Sequence, residues 1–184
     1  MNITRLEDSD LLIIEPSVFS DHRGTFMETF NEAVFRLKTG LNITFVQDNQ
    51  STSHSNVFRG LHFQIPPKSQ AKLIRVSQGS IIDFAVDLRK SSPHFGRCYQ
   101  MEISAANHLQ FYIPEGFAHG FLALAQDTIV QYKCSHYYSP DSERSLYYLD
   151  PALELFSSVS KSEWIVSEKD QQGQVLSELS DYFF

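Results

Sequence analysis

Arg59-Gly60-Leu61-His62-Phe63-Gln64, read together with Ile113-Pro114-Glu115-Gly116-Phe117-Ala118-His119-Gly120 further along, decides both the fold and the chemistry. On a strand, residues i and i+2 point to the same side, so two histidines at that spacing could share one ion. Here His62 is followed at i+2 by Gln64, and the next stretch, Ile65 to Lys72, contains no carboxylate. The second run keeps Pro114, Gly116 and one more imidazole, His119. Two imidazoles without a nearby carboxylate make a poor first-row metal site, whereas a neutral imidazole beside a lysine suits proton transfer. The pattern predicts organic acid and base chemistry, with no metal and no cofactor.

Outward from these runs the chain reads as short β segments broken by turn residues, at 43–50, 57–64, 72–78, 81–88, 98–104, 109–113, 120–125, 128–138 and 144–149. Such regular spacing argues for an antiparallel sandwich or barrel. Leu11-Leu12-Ile13-Ile14 before Pro16 reads as a further strand, and Asn31 to Leu37 as a short helix with an Asn cap and a stop at Gly40. Lys72 to Ser77 and Ile81 to Leu88, joined around Gln78-Gly79-Ser80, read as a hairpin.

Ile74 and Val76 are apolar while Arg75 and Ser77 are polar, so the even positions, Lys72 included, face inward. The same alternation turns Thr128, Val130, Tyr132 and Cys134 inward against Gln131, Lys133 and Ser135. An inward lysine costs solvation energy unless it is paired or lines a wet cavity, which points to a ligand cavity. The ordinary alternatives are a Lys72 that snorkels to the rim and a Tyr132 that is a core aromatic with a satisfied hydroxyl. After Asp150 the β pattern gives way to loop and short helix. Ser167-Glu168-Lys169-Asp170 has the form of a capping box, which would make Asp170 a helix-start carboxylate.

The 184 residues are read as one domain, with 42% apolar and 13% aromatic residues indicating a β-rich globular chain. The formal charge of -7 argues against a nucleic-acid partner, since a phosphate backbone needs a dominant basic surface. Cys98 and Cys134 have no metal-type spacing and read as buried free thiols in a reducing compartment. The first residues lack the apolar core of a signal peptide, and no run approaches the roughly 20 residues of a membrane span. A cytoplasmic protein without a membrane partner is expected.

With these segments placed, the chain resembles the dTDP-4-dehydrorhamnose 3,5-epimerase family, metal-free cupins of deoxysugar-nucleotide biosynthesis. The resemblance is carried by Phe19-Ser20-Asp21-His22-Arg23-Gly24 with Phe26 and Glu28, Phe45-Val46-Gln47-Asp48-Asn49, and Asn56 to Gln64. It continues through Lys72-Leu73-Ile74-Arg75, Asp87 to Pro93, Ile113 to Phe121, Tyr132-Lys133, Tyr137-Tyr138-Ser139-Pro140 and Ser167-Glu168-Lys169-Asp170. It implies a mainly β fold: a cupin or double-stranded β-helix (jelly-roll) barrel with a few short peripheral helices. A single cupin domain over 1–184 is expected, with N-terminal strands and a C-terminal loop and helix segment packing on the barrel.

The resemblance also implies an isomerase that inverts C3 and C5 of a dTDP-linked 4-keto-6-deoxyhexose through an enolate. His62 is then the base, Asp170 its support, Tyr132 the acid across the ring, and Lys72 the cation at the enolate oxygen. Arg23 and Arg59 would grip the diphosphate. Phe26, Glu28, Gln47, Asn49 and Tyr138 would contact the substrate, with His119, Glu143 and Lys169 closing the site. A homodimer whose terminal strands complete the neighbouring sheet is implied as well. Two stretches depart from the family: Tyr147-Tyr148-Leu149-Asp150-Pro151, where relatives commonly carry Trp-Asn-Asp, and Phe156-Ser157, where Trp-Pro is expected. The rival readings are a 3- or 5-epimerase on a related 4-keto sugar nucleotide, a metal-dependent cupin, and a non-catalytic sugar-binding cupin.

Overall fold

Two antiparallel sheets face each other, and the chain alternates between them. A computed structural model describes residues 1–156 and 159–179, so Ser157, half of the Phe156-Ser157 departure, and the last five positions of the expected domain lie outside the described residues. The strands are β1 (Asn2–Arg5), β2 (Leu12–Glu15), β3 (Val18–Asp21), β4 (Gly24–Met27), β5 (Gln47–Ser53), β6 (Val57–Gln64) and β7 (Lys72–Gln78). They continue with β8 (Ser80–Asp87), β9 (Cys98–Ser104), β10 (Gln110–Ile113), β11 (Phe117–Ala123), β12 (Thr128–Cys134), β13 (Glu143–Ser145) and β14 (Ile165–Val166). Each sheet has six strands: the first runs β1-β2-β10-β7-β12-β5, and the second β13-β6-β11-β8-β9 with the short β14 also on β6, in parallel.

From β5 to β8 each strand joins the sheet opposite its predecessor, and β10, β11 and β12 do the same on the way back. That is the jelly-roll path. It overturns the hairpin expected around Gly79: β7 pairs with β10 and β12, whereas β8 pairs with β9 and β11. Gly79, at φ +78, makes a corner between sheets, where a Cβ would lie 2.3 Å from Thr128 Oγ1.

The helix α1 (Glu32–Thr39) runs two residues beyond the expected end. Asn31 caps it by accepting from Val34 N, and Gly40 closes it at φ +71 with its N–H on Arg36 O. Three apolar layers result. Leu11, Ile74, Val76, Ile81, Phe111, Phe121 and Val130 fill the space between the sheets. Phe35 of α1 packs with Leu12, Ile14, Leu73 and Tyr112 on the outer face of the first sheet. Trp164, Leu153, Leu155, Leu176 and Leu179 of the C-terminal segment cover Phe58, Leu61, Phe63 and Phe84 on the outer face of the second. Trp164 stacks on Phe58 with ring centroids 4.8 Å apart.

Several segment ends shift from expectation: 43–50 becomes Gln47–Ser53, 120–125 becomes Phe117–Ala123, 128–138 stops at Cys134, 144–149 becomes Glu143–Ser145, and 81–88 and 109–113 move by one residue to Ser80–Asp87 and Gln110–Ile113. β1, β3, β4 and β14 had no counterpart in the expected pattern.

Candidate active site

A bulge in β6 creates the site. Opposite β11, His62 faces His119 but Arg59 faces Phe121, so Gly60 and Leu61 of β6 stand against Gly120 alone. Strict alternation would put Arg59 and His62 on opposite faces. The extra residue instead turns both to the cavity while Phe58, Leu61 and Phe63 stay in the outer core. Gly60 makes this possible: its φ is +130, and a Cβ there would lie 2.5 Å from the Cα of Gly120. Gly120 answers from β11, where a Cβ would meet Arg59 O at 2.7 Å. The two glycines are a contact between backbones, which is why the two quoted runs carry them.

The cavity between the sheets has a volume of about 510 Å³ and is lined by Arg59, His62, Lys72, His119, Tyr132, Lys169 and Asp170 among others. His62 and His119 come from the second sheet, Lys72 and Tyr132 from the first, which faces it. His62 Nε2 lies 2.7 Å from Asp170 Oδ1, and Asp170 Oδ2 accepts from Gly60 N at 3.3 Å. A carboxylate only accepts, so Nε2 carries the hydrogen and Nδ1 is left as the basic nitrogen. Burial pushes the Asp170 carboxyl up. The hydrogen bond and charge of His62, with the Gly60 N–H and Ser167, outweigh it and hold the group below its ordinary value of 3.8.

The capping-box expectation for Asp170 is half met. Ser167 Oγ accepts from Asp170 N at 3.2 Å, but the carboxylate turns to His62 rather than back to the start of the turn Asp170–Gln172. Lys72 does not snorkel: it is 8% exposed and its Nζ donates to His62 O across the cavity at 3.3 Å. Burial lowers its pKa, against the attraction of Cys134, Asp83 and Glu143. Tyr132 packs on the inner core with its ring partly buried, and burial raises its phenol, which keeps the hydroxyl a donor at neutral pH.

Asp83, which the sequence motifs do not single out, supports the candidate site from behind through His119. Fully buried on β8, it holds His119 Nε2 at 3.0 Å and leaves its other oxygen without a partner among the described residues. Burial disfavours both charged forms, raising the Asp83 carboxyl and lowering the His119 imidazole. The signal was present: an acid in the middle of the apolar run Ile81-Ile82-Asp83-Phe84-Ala85-Val86.

The mouth is built from three segments. Glu143 takes a hydrogen bond from the Tyr138 hydroxyl at 2.9 Å and an ion pair with Lys169. Burial pushes Glu143 up, but Lys169 and Tyr138 hold it below its ordinary range. Gln47 accepts from Tyr138 N at 2.8 Å and donates to Asn49 Oδ1 at 3.0 Å, and both line an adjoining recess with Lys72, Tyr132 and Glu143. Arg59 is anchored on Ser53 Oγ and Thr52 O, with its guanidinium at the edge of the cavity.

Arg23, Phe26 and Glu28, expected as substrate contacts, line none of this cavity within one chain. Arg23 is exposed on the β3–β4 hairpin and paired with Asp21, Phe26 is 70% exposed on the same hairpin, and Glu28 accepts from Asn31 beside α1. The hairpin is a sheet of its own. Among the described residues, no three His, Cys, Asp or Glu side chains gather as a metal-binding group, and no helix is long and apolar enough to cross a membrane.

A half-buried imidazole paired with a buried carboxylate thus faces a phenol and a buried ammonium across the cavity. The family model for dTDP-4-dehydrorhamnose 3,5-epimerase matches residues 5–178. The chain belongs to the dTDP-4-dehydrorhamnose 3,5-epimerase family. It is 44% identical over 183 residues to the dTDP-4-dehydrorhamnose 3,5-epimerase of Shigella flexneri, covering 100% of this chain and 99% of that one. The crystal structure of the Elizabethkingia anophelis enzyme of that name superposes with a TM-score of 0.93 at 45% identity, covering 99% of each chain. The dTDP-6-deoxy-D-glucose-3,5-epimerase of Legionella pneumophila, solved with dTDP-4-keto-L-rhamnose, gives 0.93 at 40% identity over 97% of this chain and 94% of that one. In this family's terms the fold is the cupin-like barrel, and the chain is an isomerase of the epimerase class.

Proposed function

We propose that this epimerase inverts C3 and C5 of dTDP-4-dehydro-6-deoxy-glucose, giving dTDP-4-dehydro-rhamnose, and that it does so with its own side chains. The observation that carries the reading is the placement of the His62–Asp170 pair and Tyr132 on opposite walls of one cavity, with Lys72 on the strand beside Tyr132. The C4 ketone of such a sugar acidifies the hydrogens at C3 and C5. His62 Nδ1 takes a proton from carbon on one face of the ring, and the electron pair moves onto O4 as an enolate. Asp170 stabilises the imidazolium so formed. The buried Lys72 ammonium, 8% exposed, supports the charge that develops on O4, and away from bulk water that support is worth more than in solution. Tyr132 then gives a proton to the same carbon from the opposite face, which inverts it, and the ketone re-forms.

Arg59 at the cavity edge is suited to the diphosphate, since a guanidinium offers paired donors to phosphate oxygens. Tyr138, with its ring 53% exposed at the mouth, offers an aromatic face to the nucleobase, with Gln47, Asn49, Glu143, Lys169 and His119 as polar contacts. Arg23, Phe26 and Glu28 fit the reading only if the β3–β4 hairpin enters the site of a second copy. Its paired aromatics Phe19 and Phe26, 64% and 70% exposed, support a homodimer in which each hairpin closes the partner's cavity.

Proton NMR of the turnover in deuterium oxide, following C3 and C5 separately, tests the reaction. Label at both carbons is expected. Label at one alone would make the enzyme a single-carbon epimerase with the same base and acid.

A further inference from the structure

Gln64 stands at the i+2 position where a metal-binding relative of this barrel would place a second ligand, yet its side chain is engaged elsewhere. It is 4% exposed, with Nε2 donating to Lys68 O at 2.6 Å and to Tyr137 O at 3.3 Å. Its Oε1 accepts from Ser139 N at 2.8 Å. Three backbone groups from two separate loops are thus satisfied by one amide. The backbone of Gln64 pairs directly with Glu143 of β13, and Ile65 N donates to Ser142 O. Tyr138, between the two bonded residues, is held by Gln47 through its own N–H.

We propose that Gln64 is a positioning residue for the mouth of the cavity, fixing segment 137–139 so that Tyr138 and Glu143 are already in place for the nucleoside end of the substrate. This rests on reading the cavity as a sugar-nucleotide site. The residue type follows from the demand: the position needs two donors and an acceptor. A glutamate has no donor when ionised, and a neutral histidine has one donor and one acceptor. A residue spent on metal could not also hold these two loops. Loss of the amide frees segment 137–139, whose ordering then has to be completed when ligand binds, so affinity falls. The proton-transfer groups are untouched, since His62, Asp170, Tyr132 and Lys72 make no hydrogen bond to the Gln64 side chain among the described residues.

The test uses Gln64→Met and Gln64→Glu in the full chain, with dTDP as the probe. Hydrogen exchange of the Tyr138 and Ser139 amides is measured without ligand, dTDP affinity by calorimetry, and KM and kcat with the keto sugar. Faster exchange at both amides, dTDP affinity weaker by about tenfold, and KM raised with kcat within about threefold are expected for Gln64→Met. Should Gln64→Met not fold, Gln64→Glu, which keeps the acceptor for Ser139, carries the same comparison. In a Tyr138→Ala background the Gln64 change is expected to weaken dTDP binding by less than about threefold, because both act through one segment. Additive losses, unchanged exchange, or a fall in kcat at constant KM would overturn the proposal. Wild-type protein that bound no dTDP would overturn the function reading instead, while the amide exchange would still report whether Gln64 orders the segment.

Discussion

His62 and Asp170 come from β6 and from a turn that follows β14, 108 residues apart, and their 2.7 Å contact is the residue-scale feature on which the proposed proton transfer rests. Replacing His62 with Ala should lower turnover by about 10²- to 10⁴-fold, the usual worth of a positioned general base, and should abolish deuterium uptake at both carbons. Asp170→Asn keeps the shape but not the charge, and turnover should fall by about 100-fold or more with KM little changed. The same substitution has a pH signature. Because the folded carboxyl lies below the unfolded value of 3.8, its stabilisation is present above that value and is lost as pH falls through the folded pKa. The gap in urea stability between wild type and Asp170→Asn should therefore narrow as pH is lowered from about 6 to about 3. Lys72 works in the other direction. Burial lowers its pKa, so between that value and 10.5 the unfolded chain binds more protons and the buried ammonium costs stability at neutral pH. Lys72→Met should melt at the same or a higher temperature while turnover drops by about 100-fold or more, a separation of stability from function that thermal melts and the NMR assay check together.

At the scale of elements, the decisive feature is the bulge that turns Arg59 and His62 to one side, and its glycines make it testable. Gly40 and Gly60 both have positive φ, but a Cβ at Gly40 meets nothing within 4 Å whereas one at Gly60 strikes the Gly120 backbone. Gly40→Ala should cost only the left-handed strain, about 1 kcal/mol, and Gly60→Ala about 3 kcal/mol or more, read from urea midpoints at equal slope. This comparison also shows what the sequence could and could not say. Alternation along 72–76 and 128–134 was legible, and Lys72 and Tyr132 do face inward, because each strand presents one side to the inner core. A bulge breaks that parity without a local mark other than glycine. The β7–β8 junction is not legible, because a glycine between two apolar strands looks the same whether the chain folds back in one sheet or crosses to the other. β1, β3 and β4 lie largely exposed and show no buried face to read. Asp170 was reached by family resemblance, since no local pattern ties it to a histidine on β6.

For the whole molecule, the question is why a chain that buries Lys72 and Asp170 at its cavity leaves Arg23, Phe19 and Phe26 on an isolated exposed hairpin. If each hairpin closes the other copy's cavity, one site takes His62 from one chain and Arg23 from its partner. Two defective variants then complement each other. His62→Ala alone lacks the base in both sites, and Arg23→Ala alone lacks the diphosphate contact in both. A mixed dimer has one site with both defects and one with neither. Unfolding and refolding an equal mixture should yield mixed dimers as about half of the population and so restore about a quarter of the wild-type sites, whereas each variant refolded alone stays near its own baseline. Light scattering should report the mass of two chains throughout. Phe26→Asp, which places a charge where the paired aromatics meet their partner, should shift that mass toward one chain and raise KM, because a cavity without its closing hairpin holds the nucleotide with fewer contacts. Recovery no greater than the sum of the two baselines would place Arg23 outside the partner's site and leave the cavity to be completed from within one chain.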